Sequence, residues 1–412
     1  MPISAMVLSV FFLYCISPHV VYGQCNGGLA LCNQSYSDIT HLVTHDSYAN
    51  LTPNLASTQE RTIVEQLNDG VRGLKLSAVP SVFHPEEIHL CHTSCLLLNA
   101  GKAVDTLNTI ADWVADHPNE VVTIMWNNLY SFTAEQLASV YTASRMMPFI
   151  YDLYNGTHHL QGDGKVSQAW PTLQQMIDGN KRVVNFIDAE ADMNQVPWLI
   201  DQFSICFETP YDYTDPSQFN CNVDRIADGL SPSSGDDKEA VGNNTPSTEI
   251  KNMMYVLNHF LYGSIEVGSF KVEIPQRHKA RQTNSRASLM PHVQNCTRTF
   301  HKKPTFLEVD FYSIGDALSV AAELNQAKSP SDVLELTIDT AAAGADVIPS
   351  EPSEDTNQSK LSPTQHVLID NQASKSSIKS RLCLLFVWAA TATLLMPPPM
   401  HSLLLVFYDF LK

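Results

Sequence analysis

Between residues 38 and 325 the apolar positions come in two textures, short unbroken runs and runs with helical spacing. "DITHLVTH" (38–45) and "GVRGLKLSAV" (70–79) read as strands, and "EEIHLCH" (86–92) reads as a short third. "EVVTIMW" (120–126) is a continuous run of the kind that fills buried parallel strands, "KRVVNFID" (181–188) reads as a further strand ending in an acid, and "TFLEVDF" (305–311) as a last strand. Between them, "VDTLNTIADWVADH" places Val104, Leu107, Ile110, Ala111 and Val114 one helical turn apart. "TAEQLASVYTAS", "LQQMIDG" and "GDALSVAAELN" follow the same rule. Strand, helix, strand predicts an α/β fold with a parallel sheet covered by helices. A barrel and an open doubly wound sheet both satisfy the pattern. No Gly-rich loop opens an early helix, which weakens the nucleotide-binding version.

The polar residues at strand ends sharpen the choice. In a barrel, catalytic groups gather at the C-terminal ends of strands, and His45, His92, Asp188 and Asp310 all stand there. In the last run Leu307, Val309 and Phe311 share one face, which leaves Glu308, Asp310 and Tyr312 toward the barrel interior. A buried acid needs a partner. The last strand of a closed barrel lies beside the first, so His45 is the expected partner of Asp310. On the second strand Gly73, Lys75 and Ser77 share a face, while Arg72 points the other way and reads as a structural ion-pair residue. Asp188 is a pocket acid or a satisfied strand-end residue. Asp316 reads as a helix N-cap, and His41, His84 and His89 as ordinary histidines.

Composition adds compartment rather than chemistry. The 412 residues carry a formal charge of −18 and a pI near 5.1, which argues against nucleic acid and against broad adhesion to anionic membranes. An anionic substrate must therefore be met by local charge. "AMVLSVFFLYCI" is too short to span a bilayer and is followed by "VYG", so residues 1–23 are expected to be a secretory signal peptide. Six N-x-S/T sequons, at Asn33, Asn50, Asn155, Asn243, Asn295 and Asn357, agree with export. So do the cysteines, whose close spacings point to Cys25–Cys32, Cys91–Cys95 and Cys206–Cys221 and leave Cys296 over, although sequence cannot fix connectivity. "CHTSC" has metal-like spacing but no matching second ligand pair.

Residues 24–325 form the expected barrel, and residues 326–371 are rich in Ser, Pro and acids and read as a disordered stalk. Residues 372–412 carry small residues, a polar spacer and the apolar "LCLLFVWAATATLLM", the pattern of a glycosylphosphatidylinositol-anchor propeptide. A membrane-spanning tail is the competing reading. The location expected is secreted or cell-surface, tethered by the lipid anchor.

The ordered motifs "THDSY", "GVRGLKL", "HLCHTSC", "NEVVTIMWNN" and "PTFLEVDFYSIGDA" resemble the phosphatidylinositol-specific phospholipase C superfamily, and more closely the secreted PLC-like phosphodiesterases of fungi. The resemblance covers roughly residues 25 to 325 and implies a distorted TIM barrel with two catalytic histidines after the first strands. It assigns His45 as general base, His92 as general acid, Asp310 as the support of His45, and Asp46 to the acid side or the nucleophilic hydroxyl. Imidazole titrates near neutrality and suits either proton transfer. Lys75 and Tyr312 are the substrate-binding candidates. The implied substrate is an inositol phospholipid or a glycosylphosphatidylinositol at a membrane surface, and a monomer is expected.

Two departures stand out. Calcium-dependent relatives carry Asn after the first histidine and acids two residues apart on the second strand, where this chain has Asp46, Lys75 and Ser77; Trp126 falls near another acidic ligand. Metal-free bacterial relatives place an arginine where Ser77 stands. Lysine in a cation cage would repel calcium, so no metal or other cofactor is expected and Lys75 is the substitute cation. The alternative function is a cell-surface barrel protein with little or no catalytic activity.

Overall fold

The computed structural model describes residues 24–51, 54–92, 95–153, 170–227, 230, 250, 252–267 and 270–337. The expected signal peptide, most of the stalk, the C-terminal tail and the sequons at Asn155, Asn243 and Asn357 lie outside the described residues. The described strands are β1 (His41–Thr44), β2 (Gly73–Pro80), β3 (Ile88–His92), β4 (Leu98–Lys102), β5 (Val122–Asn127), β6 (Val183–Ile187), β7 (Leu199–Asp201), β8 (Cys206–Glu208), β9 (Met254–Asn258), β10 (Tyr262–Val267), β11 (Phe270–Pro275) and β12 (Phe306–Val309). Eight of these, in the order β7-β6-β5-β2-β1-β12-β9-β8, run parallel and curl into an open, distorted barrel. First strand pairs with last, His41 opposite Phe306 and Thr44 opposite Val309, as the barrel reading required. The opening falls between β7 and β8, which the short helix Gln202–Ile205 connects and no ladder joins among the described residues.

Alternation along the strands divides the core in two. Val43, Met125, Phe186, Ile200, Cys206, Val256 and Phe306 fill the interior, and the N-terminal residues Cys25, Leu31, Cys32, Tyr36 and Ile39 join them as a floor. Leu74, Ile124 and Leu307 face outward against helices that contribute Leu107, Ile110 and Leu137. Gly73 lets the first two strands close up: a Cβ there would lie 2.4 Å from Cγ2 of Val43. The helices Ile63–Asp69, Ala134–Thr142 and Leu173–Asp178 each begin with a complete capping box, from Thr62, Thr133 and Thr172.

β2 outruns the barrel, and its extra length carries an antiparallel ladder in which Ala78 opposes Leu90 and His92 opposes Leu98 of β4. "EEIHLCH" is thus a strand, but a flap on the barrel rim rather than a stave. The sheet also corrects the cysteine pairing. Cys206 faces the barrel interior and is a free, buried thiol, whereas Cys221 lies on the outer side and bonds Cys296. Cys25–Cys32 and Cys91–Cys95 form as the spacing indicated, which also takes the "CHTSC" thiols out of metal binding. Ordered structure continues past residue 325: the helix Pro330–Glu335 buries Val333, and Gln294 donates to the carbonyls of Val333 and Leu336.

Candidate active site

β1 ends at Thr44, and the chain turns at once through Asp46, whose φ of 40° lies in the left-handed region. That turn is held by Ala49 N–H donating to the Asp46 carbonyl (2.7 Å) and Ser47 N–H to Lys75 (2.9 Å). His45 is pinned on three sides. Its Nδ1 lies 2.9 Å from Oδ1 of Asp310, its ring stacks on Phe260 at 4.4 Å and 8°, and its backbone N–H donates to Val309. Since a carboxylate accepts at Nδ1, that nitrogen carries the proton and Nε2 is left to exchange one.

His92 reaches the same space from the flap. Its Nδ1 lies 2.5 Å from the Ala56 carbonyl, which can only accept, so here too Nε2 is the nitrogen left to exchange a proton. Asp46 stands between the two rings. Its Oδ1 accepts from Ser77 (2.6 Å), and its Oδ2 lies 3.6 Å from Nε2 of His45 and 3.4 Å from Nε2 of His92. The rings are 5.8 Å apart and nearly perpendicular. Burial alone would push His45 down, but the charges of Asp46 and Asp310 outweigh it and hold the imidazolium up to about 9.

His45, Asp46, His92 and Asp310 therefore converge at the C-terminal rim of one parallel barrel. Lys75 lies one step deeper, on the same face of β2 as Ser77, with its ammonium 3.3 Å from Glu208 and 3.1 Å from Glu308. Burial opposes that charge, yet the two carboxylates raise it above the ordinary lysine value. Glu208 also accepts from Arg225 and from Gln202, and Lys75 with Arg225 pulls it down to about 2 against its burial. The calcium of the metal-dependent relatives does not fit here, because the Lys75 ammonium already lies between the carboxylates of β8 and β12.

Tyr312 is not brought to the cluster. Regular strand ends at Val309, Phe311 turns through φ 46°, and the interrupted alternation sends the Tyr312 ring into the outer layer, where its hydroxyl donates to Asp69 (2.8 Å). Trp126 also faces outward, donating to Tyr141 (2.7 Å), so it does not stand in a ligand position. Arg72 pairs with Glu120 at 2.7 Å, as its outward register implied. Asp188 accepts from Asn128 N–H at 2.8 Å and lies 3.8 Å from Arg225, which makes it a strand-end acid facing the deeper charge network. Asp316 caps a different helix from the one it precedes: its carboxylate accepts from Arg286 N–H (2.8 Å) and makes no side-chain cap bond in its own helix.

Residues outside the sequence prediction complete the pocket. Phe260 and Tyr262 follow β9 in "NHFLYG", and the Tyr262 hydroxyl lies 3.4 Å from Nε2 of His45. Asn284 holds the Asp310 end of β12 by donating to the carbonyls of Asp310 and Phe311. The apolar run before "NHFLYG" was the available signal, and five residues without alternation hid it.

The PI-PLC X family model matches residues 31–325. An "Uncharacterized secreted protein" of the fungus Arthroderma benhamiae is 32% identical over 308 residues, 73% of this chain and 64% of that relative; the chain thus spans somewhat under two thirds of its length. A "PI-PLC X domain-containing protein 1" of the same fungus is 30% identical over 307 residues, covering 73% and 89% of the two chains. Among solved structures, the phosphatidylinositol-specific phospholipase C from Listeria monocytogenes aligns with a TM-score of 0.44 and 11% identity, over 71% of this chain and 95% of that one. Among the described residues no helix is long and apolar enough to cross a membrane.

Proposed function

The chain belongs to the PI-PLC X domain family, and from that premise we propose that it is a phosphodiesterase of inositol phospholipid-type substrates, working by paired general acid and base without a metal. The observation that carries this reading is the pair of Nε2 atoms facing a common space across Asp46, each with its Nδ1 fixed by an acceptor. In the proposed reaction, Nε2 of His45 takes the proton from a hydroxyl of the substrate as that oxygen attacks phosphorus. Nε2 of His92 gives its proton to the departing alcohol oxygen. One P–O bond forms as another breaks, so an internal hydroxyl yields a cyclic phosphodiester and a free lipid alcohol. Asp310 fixes the His45 tautomer and supports the imidazolium that forms. Asp46, held by Ser77, orients both rings. Lys75 supplies positive potential from below rather than a direct clasp on phosphate, since two carboxylates already surround it.

That last feature also favours the second reading, a surface barrel with little turnover. Phosphorus NMR on phosphatidylinositol vesicles decides between them. A new cyclic-phosphodiester resonance that persists with chelator supports the enzyme, and an unchanged spectrum supports the inactive barrel. An exported protein tethered at the cell surface would meet such lipids, in keeping with the secreted relative.

A further inference from the structure

The same three side chains have a second chemistry. His45, Asp46 and His92, all buried, each offer one ligand atom within 4.8 Å of the other two. Four ligands about 2.0–2.2 Å from a zinc ion at tetrahedral angles stand about 3.3–3.6 Å apart. Oδ2 of Asp46 lies 3.6 Å from one nitrogen and 3.4 Å from the other. The surroundings match as well. A metal-bound histidine usually donates its other N–H to a carboxylate or a backbone carbonyl, which fixes the tautomer and aims the free lone pair inward. His45 has Asp310 in that role and His92 has the Ala56 carbonyl. The non-ligating oxygen of Asp46 is likewise engaged, by Ser77.

The geometry points to a binding site for one divalent transition metal of the zinc type, held by His45, Asp46 and His92 with a fourth position open to water, whose occupancy blocks the acid–base pair. Two imidazoles and one carboxylate select borderline metals over calcium or magnesium, which prefer all-oxygen shells. The Tyr262 hydroxyl, 3.4 Å from His45 Nε2, borders the open side. A bound ion would occupy both Nε2 lone pairs, leaving neither a base to accept a proton nor an acid to give one. This inhibitory half rests on the catalytic reading above; the binding half does not.

The test uses full-length, tag-free, chelator-stripped protein. Titration with Co²⁺ should give visible ligand-field bands that saturate at one equivalent and are displaced by Zn²⁺. His92→Asn and Asp46→Asn should each weaken binding by at least about tenfold, and Asp310→Asn, which leaves all three ligands in place, by about 10- to 100-fold. Circular dichroism shows that each variant is folded. Binding that is unchanged in these variants would locate the metal elsewhere, for example at His84 and His89, and overturn the site. Calcium binding as tight as zinc would overturn the metal class. In the vesicle assay, Zn²⁺ should abolish turnover and chelator restore it; undiminished turnover at saturating Zn²⁺ would overturn the inhibition. If no turnover is found at all, the cobalt titration still decides the binding site.

Discussion

His45 and His259 occupy matching stations and behave in opposite ways. Each follows the last residue of a parallel strand, β1 and β9, and each donates its backbone N–H to β12 residues, His45 to Val309 and His259 to Glu308. Each stacks on a phenylalanine, His45 on Phe260 at 4.4 Å and His259 on Phe219 at 4.1 Å. Each faces a second histidine. Yet His45 is held up to about 9, while burial drives His259 well below the ordinary value and His292 to about 4. Depth is the same; the company differs. Asp46 and Asp310 sit beside His45, whereas the polar partners of His259 among the described residues are His292 (Nδ1 to Nδ1, 2.9 Å), the Thr283 carbonyl and the Ser288 hydroxyl. Two carboxylates thus separate a ring that readily carries charge from one packed as a neutral brick.

The strongest test of the contrast is deletion. His45→Ala or His92→Ala should lower turnover by about 10² to 10⁴ with little change in folding. The losses should not add in the double variant, since the two act as one unit. A substrate with a nitrophenol leaving group needs less acid help and should rescue His92→Ala far more than His45→Ala. His259→Ala should do the reverse, costing about 1–3 kcal/mol of stability and leaving turnover of the folded protein within a few-fold. A loss of activity at His259 equal to that at His45 would erase the distinction.

Removing the carboxylate should bring the two rings together. Asp310→Asn should lower the His45 titration toward that of an ordinary histidine and cut turnover by about 10- to 100-fold, read by ring-carbon NMR and the vesicle assay. An unmoved titration would mean that Asp310 is not what holds the imidazolium.

Acid should find the brick first. His292 and His41 are each held down to about 4 by burial, so the folded state binds fewer protons than the unfolded chain between roughly pH 4 and 6.5. Their contribution is therefore complete above the unfolded value and is lost as pH falls through that window, on the order of 3 kcal/mol for each. His45 has the opposite sign: its contribution is present at low pH and fades as pH rises through about 9. Denaturant melts across pH should show the acid loss, and His292→Phe should reduce it. The smallest expected effect is that of calcium: adding it, or removing it with a calcium-selective chelator, should leave turnover unchanged, because Lys75 lies between the carboxylates.

Much of this was legible in the chain. His45 and Asp310 could be paired because a barrel brings first and last strands together and because Glu308 and Asp310 alternate with apolar residues. Tyr312 broke the same rule, since a left-handed Phe311 interrupts the alternation one residue earlier and no propensity marks it. β7 and β8 have three residues each, too few to show a period. The helix Arg286–Phe300 hides behind Pro291 and buries His292 and Gln294, so its core face does not look apolar. Cys206 and Cys221 are near in sequence but separated by the sheet, a fact that spacing cannot carry. Phe260 and Tyr262 were missed for a related reason: their roles depend on a neighbour more than two hundred residues away.

That separation has a consequence for how the protein comes into being. His45 and Asp310 lie 265 residues apart, and the β1–β12 pairing that joins them needs nearly all of the barrel in between. Contacts of such long range form only after loop-closure entropy has been met by the intervening structure. A nascent chain emerging from the ribosome holds His45 long before the strand that completes its surroundings. Ribosome-stalled chains ending before residue 300 are accordingly expected to protect β2 and β5 amides from exchange while the His45 ring titrates as in a free peptide. The chemistry would switch on only when the last strand docks, after translation of the barrel is complete.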